Sequence, residues 1–117
     1  MKLRLALAQV NPVVGDLNGN AALILESLKS AHESGAHIAT FPEMVLTGYP
    51  VEDLATRPSF QSASKAKIAS LAKEIDAAGF GKVVAVVGYL DEENGAPVNA
   101  IAIIEGGYIR ARYIKQH

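Results

Sequence analysis

Glu43 follows Phe41-Pro42 and precedes Met44-Val45-Leu46, so a single carboxylate stands where an apolar run has just been broken. Proline has no N–H to give a sheet ladder, and the run 37–41 therefore ends there as a strand. A glutamate between apolar flanks is costly to bury unless it is paired or hydrogen-bonded, and that placement suits a general acid or base. The plainer alternative is a solvated glutamate opening a loop. Tyr49 follows in the same loop; taken alone it reads as a packed aromatic with its hydroxyl in water. Lys115 comes after the apolar run 108–114, and on the residues alone it is a surface lysine at the end of a strand. Asn99 lies inside the apolar run 98–104 and needs buried partners; a structural network is favoured there over substrate contact, and Gln9 reads the same way. His32, His37 and His117 have no metal-ligand spacing, and neither a Gly-x-Gly-x-x-Gly nor a phosphate-loop pattern occurs.

The elements that must position these side chains follow from hydrophobic period. Leu3, Leu5 and Leu7 alternate with Lys2, Arg4 and Ala6, a strand with one apolar face. Ala21, Ile24, Leu25, Leu28 and Ala31 recur at helical spacing over residues 19–34, with Asp16 or Asn18 as candidate cap and Gly35 as the stop. Residues 37–41 are the next strand, and strand–helix–strand with short links implies a parallel crossover. Residues 51–55 suit one helical turn. Residues 59–78, opened by Pro58, carry Phe60, Ala63, Ile68, Leu71, Ala72 and Ile75 on one side as a second helix. The run 83–90 reads as a strand buried on both faces, 91–95 as a polar loop, and 98–104 with 108–114 as a hairpin turning at Gly106-Gly107. In the last strand Ile109, Ala111, Tyr113 and Lys115 are expected on one face. The fold class is α/β, with about five strands and two main helices.

The chain has 117 residues, half of them hydrophobic, and a net charge of −1, enough for one modest core. Charge so near zero argues against nucleic acid or an anionic membrane as partner, and no apolar run reaches the roughly 18 residues of a membrane span. There is no cysteine. Disulfides, thiolate metal sites and a cysteine nucleophile are thereby excluded within these residues, and a reducing, cytoplasmic compartment fits.

The segment Phe41-Pro42-Glu43-Met44-Val45-Leu46-Thr47-Gly48-Tyr49-Pro50 resembles the first catalytic motif of the nitrilase superfamily of carbon–nitrogen hydrolases, whose active site is a Glu, a Lys and a Cys. Its continuation, Gly48 to Leu54, more narrowly resembles the N-terminal glutaminase domain of the glutamine-dependent NAD synthetases. Ile114-Lys115-Gln116-His117 resembles the family's second motif. The resemblance runs over residues 3–117 and implies the N-terminal portion of a longer domain, part of an α-β-β-α sandwich. It implies Glu43 and Lys115 as catalytic residues: Glu43 as the base for a thiol, Lys115 as the cation that stabilises the oxyanion. Tyr49 becomes a candidate for lining the glutamine pocket; His117, by its place two residues after Lys115 in the sequence, is a candidate for supporting the lysine. The cysteine would come from beyond these residues, so the 117 residues alone are expected to be inactive; Ser59, Ser62 and Ser64 do not occupy the nucleophile position. No cofactor or metal is implied for this part, whereas ATP and Mg are implied for a synthetase domain that would amidate nicotinate adenine dinucleotide to NAD. Implied partners are glutamine, the remainder of the domain, that synthetase domain, and further copies in a homo-oligomer. A stand-alone amidase and a non-catalytic relic or interaction module remain open. A partial sandwich would expose sheet edge and an apolar face, and the fragment by itself is expected to self-associate.

Overall fold

A computed structural model describes residues 2–115. Three strands come first in the sheet order: β1 (Leu5–Leu7), β2 (Ile38–Thr40) and β3 (Val84–Glu93), mutually parallel. The helices α1 (Leu17–Glu33) and α2 (Pro58–Ala77) make the two crossovers. The strands β4 (Ala96–Glu105) and β5 (Tyr108–Ile114) then add antiparallel, giving one five-stranded sheet in the order β1-β2-β3-β4-β5. The expected α/β class, with two main helices and five strands, is what the described residues form.

Both helices cover one face of the sheet. Ile24 and Leu28 of α1 and Ile68, Leu71 and Ile75 of α2 lie at 3–4-residue spacing and are buried against Ala39, Ala85, Val87, Ala100, Ala102 and Ile104. Small alanines on the sheet leave room for the branched helix side chains, and each of the latter contributes about 1.5–3 kcal/mol on burial. Asp16 caps α1 by accepting from the Gly19 N–H at 2.9 Å. Pro58 opens α2 at its first turn, where a missing N–H has no consequence. The opposite face of the sheet is less covered: Leu5 and Leu7 on β1 and Tyr113 on β5 are exposed.

Two expectations are corrected. Asp91, Glu92 and Glu93 belong to β3, and the turn is only Asn94-Gly95, both with positive φ (52° and 82°), the geometry of a tight two-residue hairpin. Asp91 tolerates its place because its neighbours are polar: it accepts from the Tyr89 hydroxyl at 2.6 Å and lies 3.6 Å from Arg112 and 3.9 Å from Lys65. Burial, then the bond and the charge of Asp91, hold the Tyr89 phenol above its ordinary range. The Gly95 N–H, then Lys65, hold the Glu92 carboxyl below its own.

The second correction concerns β5. Ile103 pairs with Ala111 but Ile104 pairs with Ile109, so the register slips by one residue around Arg110. Ile109 consequently packs into the helix-side core, while Ala111 and Tyr113 pair with Ile103 and Ile101. Ile109 and Tyr113 therefore do not share a face.

Candidate active site

The loop after β2 is anchored before it presents anything. Met44 through Gly48 are buried, whereas Glu43 and Tyr49 on either side are exposed. Three contacts hold the buried part. Leu46 donates its N–H to the Gly88 carbonyl of β3 at 3.1 Å. Gly15 donates to the Thr47 carbonyl at 2.9 Å. Asn20, buried on α1, accepts from the Val13 N–H at 2.8 Å and donates to the carbonyls of Val13 (2.8 Å) and Leu46 (3.0 Å). Met44 sits at φ 56°, a left-handed conformation that costs a non-glycine residue on the order of 1 kcal/mol or more. Its side chain is buried with Val51 and Leu90, which holds that conformation in place.

Glu43 projects from this loop toward the ends of β4 and β5. The Lys115 ammonium lies 3.3 Å from its Oε2. The Asn99 side-chain amide donates to its Oε1. The backbone N–H of Lys115 donates to the Asn99 carbonyl at 2.8 Å. Carboxylate, ammonium and amide thus form one connected group, drawn from three places in the chain. Glu43 is not deeply buried as its apolar flanks suggested: its side chain is 49% exposed and that of Lys115 is 41% exposed. A pair this open to water contributes only about 0–1 kcal/mol to stability.

Tyr49 is exposed and lines, with Pro42 and Glu43, a cavity of about 350 Å³. Two of the three expected site residues meet directly, and the third faces the same space as Glu43. Asn99, expected to be structural, instead spends its side chain on Glu43. Asn20 was not expected at all; a polar residue in the apolar stripe of α1 was the signal. Gln9 makes no side-chain hydrogen bond among the described residues, His32 stacks on Phe80 (ring centroids 5.3 Å apart), and His37 accepts from the Arg4 N–H at 2.9 Å. Ser59, Ser62 and Ser64 lie on α2, and none bonds to Glu43 or Lys115 among the described residues. Gln116 and His117 lie outside the described residues. Among those described, no three His, Asp or Glu side chains gather as a metal site, and no helix is long and apolar enough to cross a membrane.

The carbon–nitrogen hydrolase family model matches residues 4–117, and the chain belongs to that family. It is 36% identical over 114 residues to the glutamine-dependent NAD(+) synthetase of Thermotoga maritima, an alignment covering 97% of this chain and 19% of that protein. It is 37% identical over 115 residues to the corresponding synthetase of Xanthomonas campestris, covering 97% and 20%. The chain thus spans about a fifth of the length of these relatives. Among solved structures, the glutamine-dependent NAD(+) synthetase of Cytophaga hutchinsonii superposes with a TM-score of 0.89 at 23% identity, covering 98% of this chain and 19% of that one. An amidase from Nesterenkonia sp. superposes at 0.79 and 22% identity, covering 98% and 43%. The fold is that of the nitrilase-like α/β proteins.

Proposed function

We propose that this chain supplies the base and the oxyanion-stabilising cation of a glutaminase site in a glutamine-dependent NAD synthetase. The observation that carries the reading is the convergence of the Glu43 carboxylate and the Lys115 ammonium, 3.3 Å apart, from motifs 72 positions apart. A thiol supplied from outside these residues gives its proton to Glu43 as it attacks the side-chain amide carbon of glutamine. The carbonyl oxygen takes up negative charge, and the fixed ammonium of Lys115 stabilises it. Collapse of the tetrahedral adduct releases ammonia as the C–N bond breaks, with the proton on Glu43 going to the leaving nitrogen. Water, deprotonated by Glu43, then attacks the thioester carbon; the C–S bond breaks, glutamate is released, and the proton on Glu43 returns to the sulfur. Tyr49 walls the glutamine pocket beside Glu43.

The ammonia would pass to a synthetase domain that uses ATP and Mg to amidate nicotinate adenine dinucleotide. The described residues hold no cluster fit for Mg and no phosphate-binding glycine loop, so no step here runs through either. The full protein in this reading works in the cytoplasm as a homo-oligomer, and the 117 residues alone are inactive.

The test is glutamine hydrolysis by the full-length gene product, alone and with nicotinate adenine dinucleotide and ATP present. Glu43→Gln and Lys115→Met are each expected to lower kcat by about 10²–10³-fold with folding retained. Turnover of a small amide but not of glutamine would indicate a stand-alone amidase. Absence of glutamine and small-amide turnover in the parent would leave a non-catalytic module, and full glutaminase activity in both variants would remove Glu43 and Lys115 from the chemistry.

A further inference from the structure

We propose that Asn99 is a positioning residue for the glutaminase reaction, fixing both the base and the cation from one point on β4. The inference rests on the glutaminase reading above. Asn99 holds Glu43 through its side chain, the amide nitrogen donating to Oε1. It holds Lys115 through its backbone, the carbonyl accepting from the Lys115 N–H at 2.8 Å. The two catalytic groups are thereby referenced to the same residue, although one comes from the loop after β2 and the other follows β5.

The amide nitrogen must be the atom that faces Glu43, because an oxygen facing a carboxylate would set two acceptors together. The other end of the side chain, Oδ1, is buried and has no hydrogen-bond partner among the described residues. The one side-chain hydrogen bond of Asn99 therefore goes to Glu43, where a structural asparagine would satisfy both ends. The location is also a supported one. Asn99 pairs across the ladder with Leu90, and Leu90 packs on Met44, the residue next to Glu43.

The consequence is an orientation for the carboxylate. With Oε1 taken by Asn99, only Oε2 is near Lys115. Without that hold, the flexible Glu43 side chain can turn and pair more fully with the ammonium. A base neutralised in that way accepts a thiol proton poorly, and the cation is drawn from the position where the oxyanion forms. Catalysis depends steeply on such placement.

The full-length gene product distinguishes the outcomes. Glu43→Gln and Lys115→Met first establish whether the glutaminase reading stands; if both turn over glutamine normally, that reading fails and this inference goes with it. Where they are impaired, Asn99→Ala is expected to lower kcat by about 10–100-fold with KM for glutamine within about threefold. Asn99→Asp has nearly the same shape but sets an acceptor against Glu43, and is expected to lose more than Asn99→Ala. A merely structural asparagine predicts the reverse order, since the isostere fills the space that alanine leaves empty. Asn99→Leu gives a second reading should the aspartate variant fail to fold: it fills the space without a donor, and is expected to be as slow as Asn99→Ala. Normal kcat in the leucine or aspartate variant, or a loss confined to KM, overturns the proposal.

Discussion

Gly88 runs beneath Met44 so closely that a Cβ at residue 88 would lie 2.5 Å from the Met44 backbone nitrogen. The same added carbon would come within 3.2 Å of the Glu43 carbonyl carbon. The sheet and the loop that carries Glu43 therefore touch backbone to backbone, directly next to the proposed base. The neighbours are main chain held by the bond from Leu46 to the Gly88 carbonyl, so they cannot rotate away as a side chain would. Gly88→Ala is expected to shift the loop outward, cost about 1–3 kcal/mol as overpacking does, and lower kcat of the proposed glutaminase reaction about tenfold or more. Kinetics and thermal melting of the full-length gene product check this, and an alanine variant indistinguishable from the parent in both would contradict it.

Asn20 closes the other side of the same loop. Its side chain bonds Val13 at both backbone groups and the Leu46 carbonyl, and it is buried. Truncation to alanine removes the donor from the buried Leu46 carbonyl and releases the part-buried backbone groups of Val13. Asn20→Ala is expected to destabilise the protein by about 2–3 kcal/mol. Hydrogen exchange should accelerate at the Gly15 and Leu46 amides more than at β3 amides such as Val87. Uniform acceleration would mean that Asn20 supports the whole fold and not the loop in particular.

The Tyr89 phenol gives a pH dependence with a definite sign. Its value in the folded protein is raised, first by burial and then by the bond to Asp91. The folded state therefore keeps the proton longer than the unfolded chain, whose phenol titrates near 10. The stability from this group is fully present below about pH 10 and is lost as pH rises through the higher folded value. Tyr89→Phe removes both the bond and the titration. At pH 8 the variant should melt lower, by about 1–2 kcal/mol, and the gap to the parent should shrink above pH 10. A gap that stays constant from pH 8 to 11.5 would remove the phenol as its cause.

How far the sequence reached can be seen at particular residues. Ile24, Leu28, Ile68, Leu71 and Ile75 were legible because helical period depends only on neighbours a turn away, and these residues form the core. Glu43 and Lys115 were legible through their motif contexts, and they meet. The role of Asn99 was not, although its polarity in an apolar strand marked it: its partner lies 56 positions away, and only the sheet brings them together. The slip at Arg110 was hidden for a related reason, since register belongs to a pair of strands and not to one. Asp91 reads as loop in the sequence because charge in a strand looks like a turn until the Tyr89 hydroxyl and Arg112 beside it are known.

The sheet face away from the helices carries the last expectation. Leu3, Leu5 and Leu7 are 68%, 55% and 72% exposed, and Tyr113 is 60% exposed. Leu5 and Leu7 lie on β1, the edge strand, whose outer backbone groups have no neighbouring strand among the described residues. An apolar edge with free ladder positions is a template for association. The 117-residue segment, expressed by itself, is therefore expected to elute as oligomers or aggregates in size-exclusion chromatography at micromolar concentration. The double variant Leu5→Lys/Leu7→Lys puts two charges on that edge without touching the helix-side core, and is expected to shift the segment toward monomer. A monomeric parent segment with a sharp, cooperative melt would show that this face is stable in water without cover. Oligomers that persist unchanged in the lysine variant would place the association elsewhere, with Tyr108 and Tyr113 on the opposite edge strand as the next residues to change.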